Sequence, residues 1–498
     1  MGTDAEALPG DVCTADAERP GFGDPVGAFT SRLGRTRPPW LDPVLLVPAL
    51  LTLVVGAWDL TTPSYWRDEA GTLDSLARSV PALLRMLTNV DAVHGAYYLL
   101  MWPIVHVFGT GEAVLRVPSL LVMAAAAVGV AALGRRLHSP RAGVSAGLVF
   151  AVLPQVSRYA QEGRSYAFVV ACAVLASYLV VRFVDEPGRR WLVGYGCAVA
   201  VLGLLNMFGL LLLVGHAAFV LARHRALLRR WLVVAGVGCL PTVPVAALAW
   251  YERDQFSFLG PPDTAASGGL TVWLAGSAGS VVVVSVLIGL GLRSRTGGAT
   301  AWLALPWLIA PPALLLSAAV VAIPDYAPRY VAYCLPALAL PVGVGLAGVT
   351  VVPRVLALLL IAGLGLPTQV AERQVDGHGD DIRVAADIIA AGERPGDGVL
   401  YDCPSCHYPD MPREFAFGYP AAFGRLDDVG LAQSPAVSGT LRGTETDQAT
   451  LDRRLAGVRR VWLVETGGRV VPAPLAASGL RLVVVRQAGD ITVALYQR

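Results

Sequence analysis

Long apolar runs separated by short polar loops recur from about residue 41 to about residue 370. A spanning helix needs about 20 mostly apolar residues. On that measure the runs predict spans at roughly 41–60, 112–133, 141–156, 166–184, 191–206, 208–222, 231–250, 269–292, 300–323, 331–351 and 355–370, about eleven in all. One further run, 94–109, is short for a span and contains His94 and His106. Orientation follows from where arginines gather in the short loops. Arg32, Arg35 and Arg37 precede the first run, which places the N-terminus inside. If 78–89 and 94–109 lie flat on the membrane, the basic stretches Gly134–Arg141, Glu186–Arg190, Arg223–Arg230, Arg293–Arg295 and Arg354 all face the same side as the N-terminus. Residues 61–111 then form a first outer loop, and the chain leaves the membrane outward after 370.

The pattern changes at about residue 371. Asp381–Ala391 reads as a helix, and Gly398–Tyr401, Val458–Val464, Leu480–Val485 and Asp490–Tyr496 read as short strands. The expected fold class is an α-helical polytopic membrane protein with a small C-terminal extracytoplasmic α/β domain. Its parts are a disordered cytoplasmic tail over 1–38, a membrane domain over 39–370 and the α/β domain over 371–498. Residues 1 to about 30 are acidic, rich in Gly and Pro, and lack the apolar core of a signal peptide.

Composition supports the membrane reading. The chain is 55% hydrophobic and 15% charged, with mean hydropathy +0.57, whereas soluble domains average about 25% charged residues. A net charge of +2 gives no basic field for nucleic acid. All 39 basic side chains are arginine. Of seven cysteines only Cys403 and Cys406 form a pattern, followed by His407. The spacing formally matches a c-type haem attachment, but it stands alone in a Pro-containing loop, and a local disulfide suits an outside domain. No phosphate-binding loop, dinucleotide fingerprint or nucleophile elbow is present.

The polar residues that interrupt the apolar pattern carry the candidate chemistry. The first outer loop holds Trp66-Arg67-Asp68-Glu69-Ala70, two adjacent carboxylates close to the end of a span. Sugar transfer from a phosphate-linked donor needs a base for the acceptor proton and positive charge on the leaving phosphate. Asp68 suits the base; Glu69 can orient it, hold a metal or bind an acceptor hydroxyl. A solvated acidic turn is the plainer alternative. The loop Arg158-Tyr159-Ala160-Gln161-Glu162-Gly163-Arg164-Ser165-Tyr166 lies on the same side, with groups suited to sugar hydroxyls and a phosphate, or to an ordinary interfacial loop. Arg116 sits about one turn into a span, where an anionic lipid phosphate is a natural partner and snorkelling the alternative. Arg329 and Tyr330 head a later span on the same face, as a second phosphate candidate or an interfacial anchor. His94 and the pair Tyr97 and Tyr98 open the flat helix.

In order and spacing, Trp66–Ala70, His94-Gly-Ala-Tyr97-Tyr98, Leu115-Arg116-Val-Pro118-Ser119, Gly134–Leu137 and Arg158–Tyr166 resemble the GT-C membrane glycosyltransferases. The likeness is to the bacterial glycosyltransferase family 39 branch, related to protein O-mannosyltransferases and aminoarabinose transferases, and it covers roughly 41–350. It implies a polyprenyl-phosphate sugar donor, inverting transfer, and a first outer loop with juxtamembrane helices. It implies Asp68 as base with Glu69 beside it and Arg116 on the phosphate side, and it maps its Gln-Glu-x-Arg-x-Tyr stretch onto Gln161, Glu162, Arg164 and Tyr166. Together with the residue reading above, the donor-phosphate candidates are Arg116, Arg164 and Arg329, and the substrate contacts expected are His94, Tyr97, Arg158, Gln161, Glu162, Tyr166 and Tyr330. The family often has two prolines after the histidine, which His94-Gly95-Ala96-Tyr97-Tyr98 lacks. Metal use varies in the superfamily, so a divalent cation such as Mg or Mn at Asp68 and Glu69 stays open. The tail 371–498 carries no matching motif and is expected to shape acceptor access.

The expected activity is transfer of mannose or a pentose to an extracytoplasmic glycan, lipid or protein. A transporter or lipid flippase is the rival, for which paired interrupted helices or inverted repeats are lacking in the sequence. A non-catalytic scaffold is the other, and it requires that Asp68, Arg116, Glu162 and Arg329 fail to converge.

Overall fold

The computed structural model describes residues 43–252, 266–294, 297–321, 326–402, 412–466 and 472–498. The expected tail 1–38 and the pair Cys403 and Cys406 lie outside the described residues.

Each apolar run becomes helix, interrupted where the local sequence forbids it. After α1 (Pro43–Ala57) the first loop carries α2 (Arg67–Leu76), α3 (Val80–Met86) and α4 (Gly95–Phe108). Then follow α5 (Glu112–Leu137), α6 (Pro140–Val152), α7 (Pro154–Ala160), α8 (Tyr166–Asp185), α9 (Arg189–Leu205), α10 (Leu212–His224) and α11 (Leu228–Cys239). The membrane part ends with α12 (Thr242–Tyr251), α13 (Ala266–Ala275), α14 (Ala278–Arg293), α15 (Gly298–Val321), α16 (Leu335–Ala347) and α17 (Val351–Ala371).

Two breaks differ from the expectation. The run 141–156 is not one helix. Pro154 disfavours helical geometry at the residue before it, and Leu153 turns extended at ψ 129°. Arg158 therefore sits on the separate helix α7, not in a loop. The run 269–292 bends by 76° between α13 and α14. Gly276 makes the bend at φ +89°, a conformation that suits glycine. Among the described residues, six helices are long and apolar enough to cross a membrane, or seven if this bent pair counts as one span. The expected count of about eleven is not reached by that measure. Apolar helices such as Pro140–Val152 and Thr242–Tyr251 have only 10–17 residues.

Small residues bring the helices around the site close together. A Cβ on Gly143 of α6 would stand 2.3 Å from Ala131 O and 2.6 Å from Arg135 N on α5, and one on Gly343 of α16 would stand 2.6 Å from Ala142 O. α16 is buried on nearly all sides, as an evenly apolar helix must be.

The C-terminal part is a small α/β domain, as expected. Strands β1 (Gly398–Asp402), β2 (Asp427–Asp428), β5 (Arg460–Thr466), β6 (Arg481–Ala488) and β7 (Ile491–Gln497) form one sheet in the order β2-β1-β5-β7-β6. β1 runs parallel to β2 and β5; β7 is antiparallel to β5 and β6. β3 (Leu431–Gln433) and β4 (Thr444–Glu445) make a second, two-stranded sheet. The two- and three-residue strands escaped the sequence reading because they are too short to show a period. Helix α18 (Ile382–Ala390) packs on β6 and β7.

The first loop is fastened from both sides. From below, Arg116 on α5 donates to both carboxylate oxygens of Glu69, at 3.0 and 2.7 Å, and to the carbonyls of Leu60, Pro63 and Ser64. Five N–H donors meet five acceptors, and both side chains are 0% exposed. Gly163 N–H adds a bond of 2.7 Å to Glu69 Oε1. From above, the C-terminal part supplies Val375 O to Ser64 N–H at 2.7 Å, Asp380 to Arg67 N–H at 2.8 Å, Arg383 to Thr62 O at 2.9 Å and Tyr419 to Glu112 at 3.0 Å. Trp40–Arg498 accordingly forms one compact unit.

Two predictions follow from this packing. Gly143→Val forces a branched side chain against backbone and should lower stability by about 1–3 kcal/mol. Gly236→Ala, inside α11 at a position with open space, should hold or raise the thermal unfolding midpoint in detergent, since alanine favours a helix over glycine. Arg116→Met strands a buried carboxylate and should cost about 3–5 kcal/mol; Arg116→Lys cannot rescue it, because an ammonium has no planar fork. A full-strength melting transition in either Arg116 variant would refute the fastening role.

Candidate active site

Helix α2 begins at Arg67, and its N-terminus lacks a side-chain cap from Trp66. Asp380 fills that role from the C-terminal part, an anion placed where the helix end is positive. This sets Asp68 in the first turn, with its carboxylate facing two guanidiniums from distant segments. Arg164 Nη2 lies 3.9 Å and Arg329 Nη2 3.8 Å from Asp68 Oδ2. The Asp68 side chain is 24% exposed and that of Arg329 30%.

Arg164 is held in place. It donates to His94 Nε2 at 2.8 Å, Thr72 Oγ1 at 3.2 Å, Tyr98 Oη at 3.3 Å and Asp68 O at 3.3 Å. Because Arg164 donates to Nε2, the His94 proton is assigned to Nδ1. That Nδ1 is buried with no hydrogen-bond partner among the described residues. Arg329 lies over the rings of Trp66 and Tyr330 at 5.6 and 5.8 Å. Arg158 lies over Trp66 at 5.7 Å and pairs with Glu162 at 2.5 Å. A cleft lined by His94, Ser165, Tyr166, Asn206, Phe208 and Tyr330 opens beside these groups.

Electrostatics separate the three acids. Burial pushes the Asp68 carboxyl up, but Arg164, Arg329, His94 and Arg67 together outweigh it and hold it below its ordinary 3.8. Burial pushes Glu162 up to about 7 against the pull of Arg158. Burial, with the nearby Arg164 charge, pushes His94 down to about 4, so its ring is neutral at neutral pH. Glu69 is consumed by Arg116 and Glu162 is paired to Arg158, while Asp68 faces two arginines and Asp91, bonded to Tyr98, lies behind Arg164.

The sequence-predicted residues thus divide. Asp68, Arg164, Arg329 and His94 converge on one pocket, with Arg158 and Glu162 beside it across Trp66. Tyr166 and Tyr330 line the adjoining cleft. Arg116 and Glu69 lie beneath the pocket with every guanidinium donor and both carboxylate oxygens engaged, so the arrangement does not offer Arg116 to an incoming phosphate. Gln161 donates to the carbonyls of Gly56 and Trp58 at the end of α1. Tyr97 is buried, its hydroxyl unpartnered among the described residues. Among the described residues no group of three or more His, Cys, Asp and Glu side chains is arranged to hold a metal ion. The sequence reading missed Trp66 as a shared platform, Thr72 and Tyr98 as supports of Arg164, and Asp380 as the cap of α2. Only Tyr98 and Trp66 left a trace, as members of quoted motifs.

Comparison with known proteins bears on the fold. A model of the dolichyl-phosphate-mannose-protein mannosyltransferase family matches residues 96–250, a range that holds Arg116, Arg158, Glu162 and Arg164. No curated protein matches the chain in sequence. Among solved structures, ArnT from Cupriavidus metallidurans in the apo state is similar with a TM-score of 0.59 at 14% identity, over 90% of this chain and 97% of that one. The same protein bound to undecaprenyl phosphate gives 0.58 at 14% identity, with the same coverage. With the family match falling inside its helical half, the chain is a multi-pass membrane protein of the GT-C glycosyltransferase fold.

Proposed function

We propose that the protein is an inverting glycosyltransferase that moves a sugar, mannose or a pentose, from a polyprenyl-phosphate donor to a hydroxyl acceptor on the extracytoplasmic side of the membrane. The observation that carries this reading is Asp68, a partly exposed carboxylate held ionised between Arg164 and Arg329. An ionised carboxylate can take the acceptor proton, and guanidiniums beside it can meet the charge of the departing phosphate. The structure of ArnT with undecaprenyl phosphate gives the lipid class of the donor its support.

The step is a single displacement. The acceptor oxygen attacks the anomeric carbon from the face opposite the phosphate, and Asp68 takes the acceptor proton. The new C–O bond forms as the anomeric carbon–phosphate oxygen bond breaks, and the electron pair leaves on the lipid phosphate. Arg329, the most open of the arginines, takes that charge, with Arg158 beside it over the same Trp66 ring. Arg164 holds Asp68 and has little surface left for substrate. The cleft along Tyr166, Phe208 and Tyr330 takes the start of the prenyl chain. Arg116 supports the loop instead of the phosphate.

Two measurements test this. Asp68→Asn should lower transfer from undecaprenyl-phosphate-linked mannose or arabinose by at least about 100-fold, while expression and membrane insertion persist. Near-normal turnover in that variant would remove Asp68 from the role of base. The second concerns pH. Glu162 has a raised pKa of about 7, so it is protonated below that value and releases Arg158 from its ion pair. The donor is a phosphodiester whose charge is constant over this range, so its KM should fall several-fold from pH 8 to pH 6. The dependence should vanish in Glu162→Gln, and a KM that stays flat in the wild type would exclude this coupling.

A further inference from the structure

Arg164 stands close to the Asp68 carboxylate without forming a hydrogen bond to it. Its Nη2 is 3.9 Å from Asp68 Oδ2, whereas a guanidinium free to settle on a carboxylate closes to about 2.7–2.9 Å. What holds it back is on its other side. Nη1 donates to Tyr98 Oη at 3.3 Å, and Nη2 donates to His94 Nε2 at 2.8 Å. Both partners meet one further residue. The Tyr98 hydroxyl donates in turn to Asp91 Oδ2, and Asp91 Oδ1 lies 3.7 Å from the same His94 Nε2. Arg164 thus sits between two carboxylates, Asp68 in front and Asp91 behind, and the bonds through Tyr98 run toward the one behind.

Local structure gives Asp91 no other employment. It precedes the short 3-10 turn Ala92–His94 with φ +65° and ψ 24°, in the left-handed region. Glycine suits that region best, and aspartate enters it when its side chain bonds nearby backbone. Aspartate ahead of a helical turn ordinarily caps it, but the Asp91 side chain makes no cap bond. Its bond goes instead to Tyr98, seven residues on and within α4. The turn itself is pinned by other groups. His94 N–H donates to Asp91 O at 3.0 Å, and Ala92 N–H donates to Glu252 Oε2, just past α12, at 3.3 Å. Tyr98 is fully buried and the Asp91 side chain nearly so. The Tyr98 hydroxyl can therefore serve as a fixed link, accepting from Arg164 and donating to Asp91.

The link matters for the base. A carboxylate takes a proton through a free oxygen lone pair. A guanidinium closed on Asp68 would occupy those oxygens and make the acid a weaker base. With Arg164 drawn backward, Asp68 keeps a positive charge nearby and its oxygens stay open.

We infer that Asp91 is a positioning residue: through Tyr98 and His94 it holds Arg164 back from the Asp68 carboxylate and so keeps that carboxylate open to the acceptor hydroxyl. This rests on the glycosyltransferase reading above and on Asp68 as its base. Asp91 lies behind Arg164 and acts through it.

The test uses the full chain in nanodiscs as the wild type, Asp91→Asn, Tyr98→Phe and the double variant. Asparagine tolerates the same backbone region and still accepts from Tyr98, so it removes only the charge. The donors are undecaprenyl phosphate bearing mannose or arabinose. The acceptors are octyl mannoside, a glycolipid and a serine-rich peptide. Release of undecaprenyl phosphate gives kcat and the donor KM, and the melting temperature reports folding. Each single variant should lose about 10-fold or more in kcat, with donor KM within about 2-fold and the melting temperature unchanged. The double variant should lose less than the product of the two single losses, because both residues act along one chain of bonds. Wild-type kcat in Asp91→Asn would overturn the inference and leave the proposed function standing. So would a raised donor KM at unchanged kcat, a loss of kcat that follows a lowered melting temperature, or fully multiplicative losses in the double variant. A wild-type protein that releases the lipid phosphate from neither donor with any acceptor would refute the proposed function itself, and the role of Asp91 with it.

Discussion

The site depends on one buried ion pair. Glu69 and Arg116 would each be costly alone in an apolar interior, and even together they gain little over apolar side chains of similar size. Their value lies in geometry. The guanidinium fork joins a carboxylate on α2 to three carbonyls of the chain that enters α2, and so fixes the path from the end of α1 to Asp68. Asp68 is the next residue back along the helix, and its direction is inherited from that clamp. Adjacent acids thus have opposite fates. One is fully desolvated and spent on structure; its neighbour keeps part of its surface open.

The same division runs through the arginines. Arg116 has every donor taken up inside the protein and Arg164 is bonded through both Nη atoms, while Arg158 and Arg329 lie over Trp66 with part of their surface open. Arg373 belongs with the first pair, since it binds the carbonyls of Val55 and Trp58 at the end of α1. A pocket that binds an anion needs both kinds. The spent guanidiniums hold the walls, and the open ones keep their charge available.

Much of this was legible in the sequence. The apolar runs mark the helices, the change near residue 371 marks the sheet domain, and the topology read from the basic loops puts Asp68, Arg164 and Arg329 on one face. What the sequence hides has physical causes. The bonds of Arg116 are not legible in it, because sequence reports depth and residue type but not neighbours, and the carbonyls of Leu60, Pro63 and Ser64 leave no mark in it. Arg158 was placed in a loop because the extended turn at Leu153 depends on one proline within an apolar run. Asp380 escapes a sequence reading because it meets α2 only through the folding of a segment far along the chain.

That distance has a consequence for biogenesis. The loop bearing Asp68 emerges early in synthesis, yet the partner that caps its helix, Asp380, lies 313 residues further on. Val375, Arg383 and Tyr419, which close over the same loop, come equally late. A nascent chain that has inserted only its first helices therefore holds an unfinished reaction centre. Competence arrives with the final stretch of polypeptide, after the membrane helices that must hold the lipid are already in place.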